Sequence, residues 1–218
     1  MTLNLLPILI SAFLFLAPQQ TATKRQPAPV MSAAGADWLV RPERIKEEDP
    51  DRMLKALEIK PGSIIADVGA GVGYHAWRLA EIVGPTGKVI AEDIQPEMIR
   101  KLEANIGQRG LKNVQVILGS EKDPKLPAGQ IDLVLMVDVY HEFADPVVMM
   151  QSIKRSLKPD GRVVLVEFRK EDDRVPIRPE HKMSVRDVRA ELEPMGFKFE
   201  KVLDFLPWQH ILFFSIAK

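Results

Sequence analysis

The chain of 218 residues contains no cysteine, which excludes disulfides, thiolate metal sites and cysteine nucleophiles together. Excess charge of either sign is also missing. Thirty basic side chains balance thirty acidic ones, so nothing in the overall electrostatics favours nucleic acid or another polyanion as partner. Histidine is scarce: His75, His141, His181 and His210 are scattered, and no two stand at a metal-ligand spacing, so no metal site is predicted. The length suits one domain with an appendage.

What is present is organised around Ile64–Ala76, IIADVGAGVGYHA. A β-branched run ends in Asp67, and Gly69, Gly71 and Gly73 follow before a helical pattern begins at Ala76. Glycine there permits a sharp turn and close approach of the backbone to a ligand, and the helix start offers unpaired N–H groups. A dinucleotide fingerprint wants glycine or alanine three places after the second glycine, where this chain has Tyr74. The NAD-type reading loses ground. The run Asp67-Val68-Gly69-Ala70-Gly71-Val72-Gly73 resembles instead the D/E-x-G-x-G-x-G loop of class I S-adenosylmethionine (SAM)-dependent methyltransferases.

Further segments carry the same resemblance. Asp93-Ile94-Gln95-Pro96-Glu97-Met98 looks like the D-I-x-P-E-M run after the second strand of that family. A carboxylate at that strand's end accepts hydrogen bonds from ribose hydroxyls. Glu92 and Asp93 are adjacent, alternation sends them to opposite faces, and the resemblance favours Asp93. Gly119-Ser120-Glu121 followed by Leu126-Pro127 occupies the place of the G-D-A…L-P segment. Ser120 replaces the usual acid there, leaving the adenine contact to Ser120 or Glu121. Ile131–Val137 is a near-continuous apolar run, as in a central parallel strand covered on both faces. Asp138-Val139-Tyr140-His141-Glu142 and Asp145-Pro146 follow it, with Lys158-Pro159-Asp160-Gly161 further on. This order resembles the family's H-H-x-x-D-P…L-K-P-G-G segment, with Asp160 in place of a glycine.

The resemblance spans about Ile64–Phe168 and implies SAM as cofactor, held by Asp67, Gly69, Ala70, Gly71, Gly73, Asp93, Ile94, Ser120, Glu121 and Asp138. His141 is the candidate base or orienting group, because an imidazole accepts a proton near neutral pH, and Tyr140 stands beside it as the second catalytic candidate. The implied reaction moves a methyl group to an O, N or C nucleophile of a small molecule. A noncatalytic SAM-binding module is the alternative, and an NAD-type oxidoreductase is the third reading. The absence of an N/D-P-P-Y/F run after Val137 speaks against a nucleic-acid methylase. Arg178, His181 and Lys182 form a basic cluster suited to an acidic or phenolic acceptor.

The elements expected around these motifs alternate. Strands are predicted at 63–68, 88–94, 114–118, 131–137 and 163–168, and helices at 50–57, 76–83, 96–109, 146–157 and 185–195. Asp49 and Pro50 fit an N-cap and N1 pair for a leading helix lying across the nucleotide site. Phe197–Leu206 and Gln209–Ala217, joined by Pro207-Trp208, read as an antiparallel pair. The fold class is therefore α/β, a doubly wound, Rossmann-like sheet of seven mostly parallel strands with a C-terminal antiparallel hairpin.

Leu3–Ala17 is apolar apart from Asn4, Pro7 and Ser11, so residues 1–22 are expected to be a signal peptide or membrane anchor. Residues 23–36, rich in Gln, Thr, Pro and Ala, read as a flexible linker, and residues 37–218 as the SAM-dependent methyltransferase domain. Lys24 and Arg25 follow the apolar stretch and no Lys or Arg precedes it. That bias favours keeping the domain on the cytoplasmic side, and the lack of a small-residue cleavage pattern, with Phe15 and Pro18 about Ala17 and Gln20 before Ala22, favours an uncleaved membrane tether; export is the alternative. Oligomeric state is not legible.

Overall fold

The computed structural model describes residues 25–217; the apolar stretch expected as signal or anchor lies outside them. Among the described residues no helix is long and apolar enough to cross a membrane. Strands β1 (Ile64–Val68), β2 (Lys88–Asp93), β3 (Val114–Leu118), β4 (Ile131–Val137), β5 (Leu157–Arg169), β6 (Lys182–Met183), β7 (Phe197–Leu203) and β8 (Gln209–Ile216) form one sheet. Its order is β3-β2-β1-β4-β5-β8-β7, with β6 on β5. The pairings from β3 to β5 are parallel, and β8 runs antiparallel to both β5 and β7. The expected doubly wound sheet and terminal hairpin are both present, with β6 as an eighth, two-residue strand.

Period-two alternation builds two cores. Leu133 and Leu135 of β4 face one side with Ile65 and Val89, where helices α2 (Pro50–Ala56), α3 (Ala76–Val83) and α4 (Pro96–Gln108) supply Leu54, Leu79 and Leu102. Val134 and Met136 face the other with Val163 and Leu165, covered by Met150 and Ile153 of α5 (Pro146–Ser156) and Val188 and Leu192 of α6 (Val185–Leu192). Strands buried on both faces read as continuous apolar runs, which is why Ile131–Val137 carries one polar residue, Asp132. Asp145 caps α5 by accepting from the Val148 N–H at 3.2 Å, and Ser184 caps α6 by accepting from the Asp187 N–H at 3.0 Å. The helical stretch after Ser184 becomes a 3-10 turn at Glu193–Met195, because Pro194 has no N–H for the i−4 carbonyl.

Three expectations at the N-terminal side are corrected. Asp49 makes no side-chain cap; with φ +48 it is the left-handed hinge that ends a short helix α1 (Arg44–Glu48) and begins α2 at Pro50. Helix α2 packs into the core through Met53 and Leu54, with Leu57 just after it, so it does not lie across the expected nucleotide site. That place is taken by the 3-10 helix Ala33–Val40 and by α1. Residues 25–36 are also more than a linker. The Arg25 guanidinium donates to the carbonyls of His141 (2.6 Å) and Tyr140 (2.7 Å) and pairs with Glu191 at 3.0 Å. The Ala28 N–H donates to the His141 carbonyl at 3.0 Å, and Gln95 donates to the Met31 carbonyl at 2.9 Å. Satisfied backbone groups, not side-chain periodicity, order this segment.

Candidate active site

The sequence runs from β3 back across β1 to β4, so the carboxyl ends of β1 and β4 diverge into a crevice where ligands of such sheets bind. A cavity of about 610 Å3 occupies it. Its floor includes Gly69 and Gly71 of the loop after β1, and Glu92, Asp93 and Ile94 at the end of β2. Asp138, His141 and Glu142 after β4 form one wall, and Leu39 and Arg44 close the side opposite the sheet.

The glycine loop owes its shape to close approach. Gly69 and Gly71 have φ of +71 and +55, and a Cβ at Gly69 would overlap the Val139 side chain. Gly73, at φ +86, would place its Cβ 2.5 Å from Leu102 Cδ1 of α4. Side chains would therefore be strained at these positions even without a ligand. The two acids at the end of β2 both serve this loop. Glu92 accepts from the Gly69 N–H at 3.4 Å; Asp93 accepts from the Gly71 N–H at 3.0 Å and the Gln95 N–H at 2.9 Å. The chain wraps around the strand end, so alternation does not part them as the sequence suggests, and both line the cavity.

Acids accumulate here with little countercharge. Asp67, Glu92 and Asp93 are buried and Asp138 is half-buried, and Asp67 Oδ2, Glu92 Oε1 and Asp138 Oδ1 have no hydrogen-bond partner. Burial raises Asp67 to about 7, with Arg44 opposing and Asp93 adding to the rise, and raises Glu92 to about 8, helped by the neighbouring Asp93. Asp138, at φ +54, accepts from Gln209 at 2.7 Å and is likewise pushed up by burial and by Glu48 and Glu167. Arg44 is the cation built into this wall. It pairs with Glu48 at 2.5 Å, donates to the Leu39 carbonyl, and lies 4.1 Å over the Tyr74 ring.

A stability consequence follows from Asp67 and Glu92. Folded-state pKa values above the unfolded ones mean that the native state holds protons which the unfolded chain has lost, so ligand-free stability falls as pH rises through about 7 to 8. His75 and His210, both shifted down by burial, oppose this only below their ordinary value of 6.5. Between pH 6.5 and 8 the ligand-free protein is expected to lose about 2 kcal/mol, roughly 4–8 °C in Tm. Scanning calorimetry across that range checks the sign; a Tm that rises with pH contradicts it.

The other wall holds a chain of buried polar groups. Glu167 of β5 is fully buried; one oxygen accepts from the Tyr140 N–H at 3.0 Å and the other meets His141 Nδ1 at 2.6 Å. Burial pulls the His141 imidazole down, but Glu167 and Asp138 outweigh it and the net direction is up. His141 Nε2 faces His181 Nδ1 at 3.2 Å. Since Phe168 pairs with Gln209 of β8 on one side, β6 bridges Phe168 and Arg169 on the β4 side. That short pairing holds His181 beyond the end of β4.

Of the predicted site residues, Gly69, Gly71, Asp93, Ile94, Glu121, Asp138 and His141 line the cavity. Asp67 is buried just beneath, and Ala70 donates its N–H to the Glu92 carbonyl at 2.8 Å. Gly73 packs on Leu102. Ser120 is exposed, and its hydroxyl closes a turn with Asp123. Tyr140 does not join His141 in the cavity: it is fully buried, and its hydroxyl donates to Glu191 at 2.7 Å. In the basic cluster, Arg178 and His181 reach the cavity while Lys182 donates to the Asp172 carbonyl. Glu167 and Arg44 belong to no motif in the sequence, whereas Glu142 stands beside His141 as a candidate for positioning substrate. An acid inside the apolar run Val163–Phe168 is the signal for the first, since buried acids are rare unless paired.

Comparison with known proteins agrees with this geometry. A family model described as a methyltransferase domain matches residues 59–202. The chain is 39% identical over 114 residues to nocamycin O-methyltransferase of Saccharothrix syringae, covering 52% of this chain and 41% of that protein. It is 29% identical over 113 residues to the ubiquinone/menaquinone biosynthesis C-methyltransferase UbiE of Ectopseudomonas mendocina, covering 51% and 44%. It thus spans less than half the length of these curated relatives. A crystal structure of a SAM-dependent methyltransferase from Aquifex aeolicus superposes with TM-score 0.81 at 29% identity, covering 86% of this chain and all of that one. With the glycine loop, the acids after β2 and the β3-β2-β1-β4-β5-β8-β7 sheet in place, the chain belongs to the methyltransferase domain family, of the class I SAM-dependent fold.

Proposed function

We propose that this protein transfers a methyl group from SAM to an oxygen, nitrogen or carbon nucleophile of a small molecule. The observation that carries this reading is the acid-lined cavity at the carboxyl ends of β1, β2 and β4, with unpartnered carboxyl oxygens on Glu92 and Asp138 in its lining and on the buried Asp67 of β1. These residues fit SAM, whose sulfonium and ammonium charges complement acids that otherwise repel one another. Bound there, SAM supplies a methyl group already activated by the sulfonium. In this reading Asp93 and the glycine loop border the adenosine part, and Glu121, which lines the same cavity, is the candidate for the adenine contact. A cavity of about 610 Å3 falls within the range of small-molecule sites, about 300–1,000 Å3.

The chain's remaining task is to hold the acceptor in line and to accept its proton. Positioning alone lowers such a barrier by several kcal/mol. His141, oriented by Glu167, and Arg178, at the cavity edge, suit an acceptor with an acidic or phenolic oxygen. The membrane tether facing the cytoplasm stays part of the proposal and rests on the charge bias around residues 3–25, the poor cleavage pattern there and the supply of SAM from the cytosol. Incubation with methyl-labelled SAM and a panel of phenols, quinones, carboxylates and amines tests the reaction. Label is expected in a phenol, quinone or carboxylate. SAM binding without transfer to any acceptor would favour the noncatalytic module.

A further inference from the structure

Sequence spacing separates His141 from His181 by forty residues and predicts no metal site, yet the fold brings their ring nitrogens to 3.2 Å. Glu142 joins them. One donor atom from each of His141, Glu142 and His181 lies within 4.8 Å of the others. We propose that these three side chains bind a first-row divalent transition cation, which faces the cavity and receives an oxygen of the methyl acceptor; with the cation bound His141 Nε2 is a ligand and not the base, and the cation instead acidifies that oxygen, whose proton passes to solvent. The second half of this statement rests on the methyltransferase reading; the cation site does not.

Four observations support the site. Two nitrogens bound to one tetrahedral ion at 2.0–2.1 Å stand about 3.3 Å apart, close to the observed separation. His141 presents Nε2 because Glu167 holds Nδ1 at 2.6 Å, the carboxylate–histidine arrangement that fixes tautomer and ring direction in metal sites. Glu142 is steadied by the Met31 N–H, which donates to Oε1 at 3.2 Å. All three residues line the cavity, leaving the remaining coordination positions open toward it. Two imidazoles and one carboxylate suit zinc, iron, manganese or cobalt better than magnesium or calcium, which prefer oxygen donors. Local structure makes the cluster rigid: His141 and Glu142 share the 3-10 turn after β4, and β6 fixes His181.

The competing arrangement is a plain hydrogen bond from His181 Nδ1 to His141 Nε2. Titrating the chelator-treated full-length protein with cobalt separates the two, because a bound ion shows visible d–d bands that a hydrogen bond cannot. One equivalent of cobalt, displaceable by zinc, is expected. His181→Ala should weaken binding at least about a hundredfold and Glu142→Gln at least tenfold, and Glu167→Gln about 10- to 100-fold through His141. Circular dichroism identifies any variant that fails to fold, in which case the other two decide. Absence of the bands, or equal affinity in wild type and folded variants, overturns the site. Cobalt binding in a protein that does not bind SAM would keep the cation site and sink the methyltransferase reading.

Discussion

Replacing Asp93 by alanine is expected to weaken SAM binding about ten- to hundredfold. Hydrogen bonds to a charged acceptor are worth about 1.5–3 kcal/mol, and each 1.4 kcal/mol is a factor of ten in affinity. Asp93 is only 6% exposed, and its two oxygens are oriented by the amides of Gly71 and Gln95. It is therefore held at the cavity without reorganisation, and its loss also loosens Gly71. Calorimetric titration of the variant measures the change, and a denaturation curve shows whether the loop still folds. A loss below threefold in a folded variant would assign Asp93 to loop shape alone.

Replacing His141 by alanine should lower turnover by about a hundredfold or more while SAM affinity changes less than about threefold. General acid–base contributions of a positioned side chain are typically 10²–10⁴-fold. The asymmetry is the informative part. His141 stands on the wall formed by the segment after β4 and is buried against Glu167 and His181, whereas the glycine loop and Asp93 lie after β1 and β2. Steady-state kinetics beside calorimetry checks it. Equal losses in turnover and affinity would make His141 a cofactor residue, and no loss in either would make it structural.

How far the sequence reaches depends on where the information sits. The glycine loop is legible because Gly69, Gly71 and Gly73 must each adopt positive φ beside Val139, Leu39 and Leu102, a demand that leaves a compositional mark. The central strand is legible because burial on both faces removes polar residues from Ile131–Val137. The docking of residues 25–36 leaves no such mark, since Arg25 and Ala28 bind backbone carbonyls that any residue would offer at those positions. His181 is placed by a two-residue strand, too short to show alternation. Glu92 and Asp93 appear opposed by strand period, but the loop that follows β1 crosses the strand end and uses both. Tyr140 reads as polar beside His141, but its partner Glu191 comes from α6, fifty-one residues away.

Calorimetric titration of the wild-type protein with SAM, and separately with NAD, tests the central claim most directly, because the acid-lined crevice either fits a sulfonium-bearing adenosine or it does not. Saturable one-to-one binding of SAM is expected, with protons released below about pH 8 as Asp67 and Glu92, kept protonated by burial, ionise beside the cation, and no binding of NAD. Binding of NAD together with no heat from millimolar SAM would contradict it.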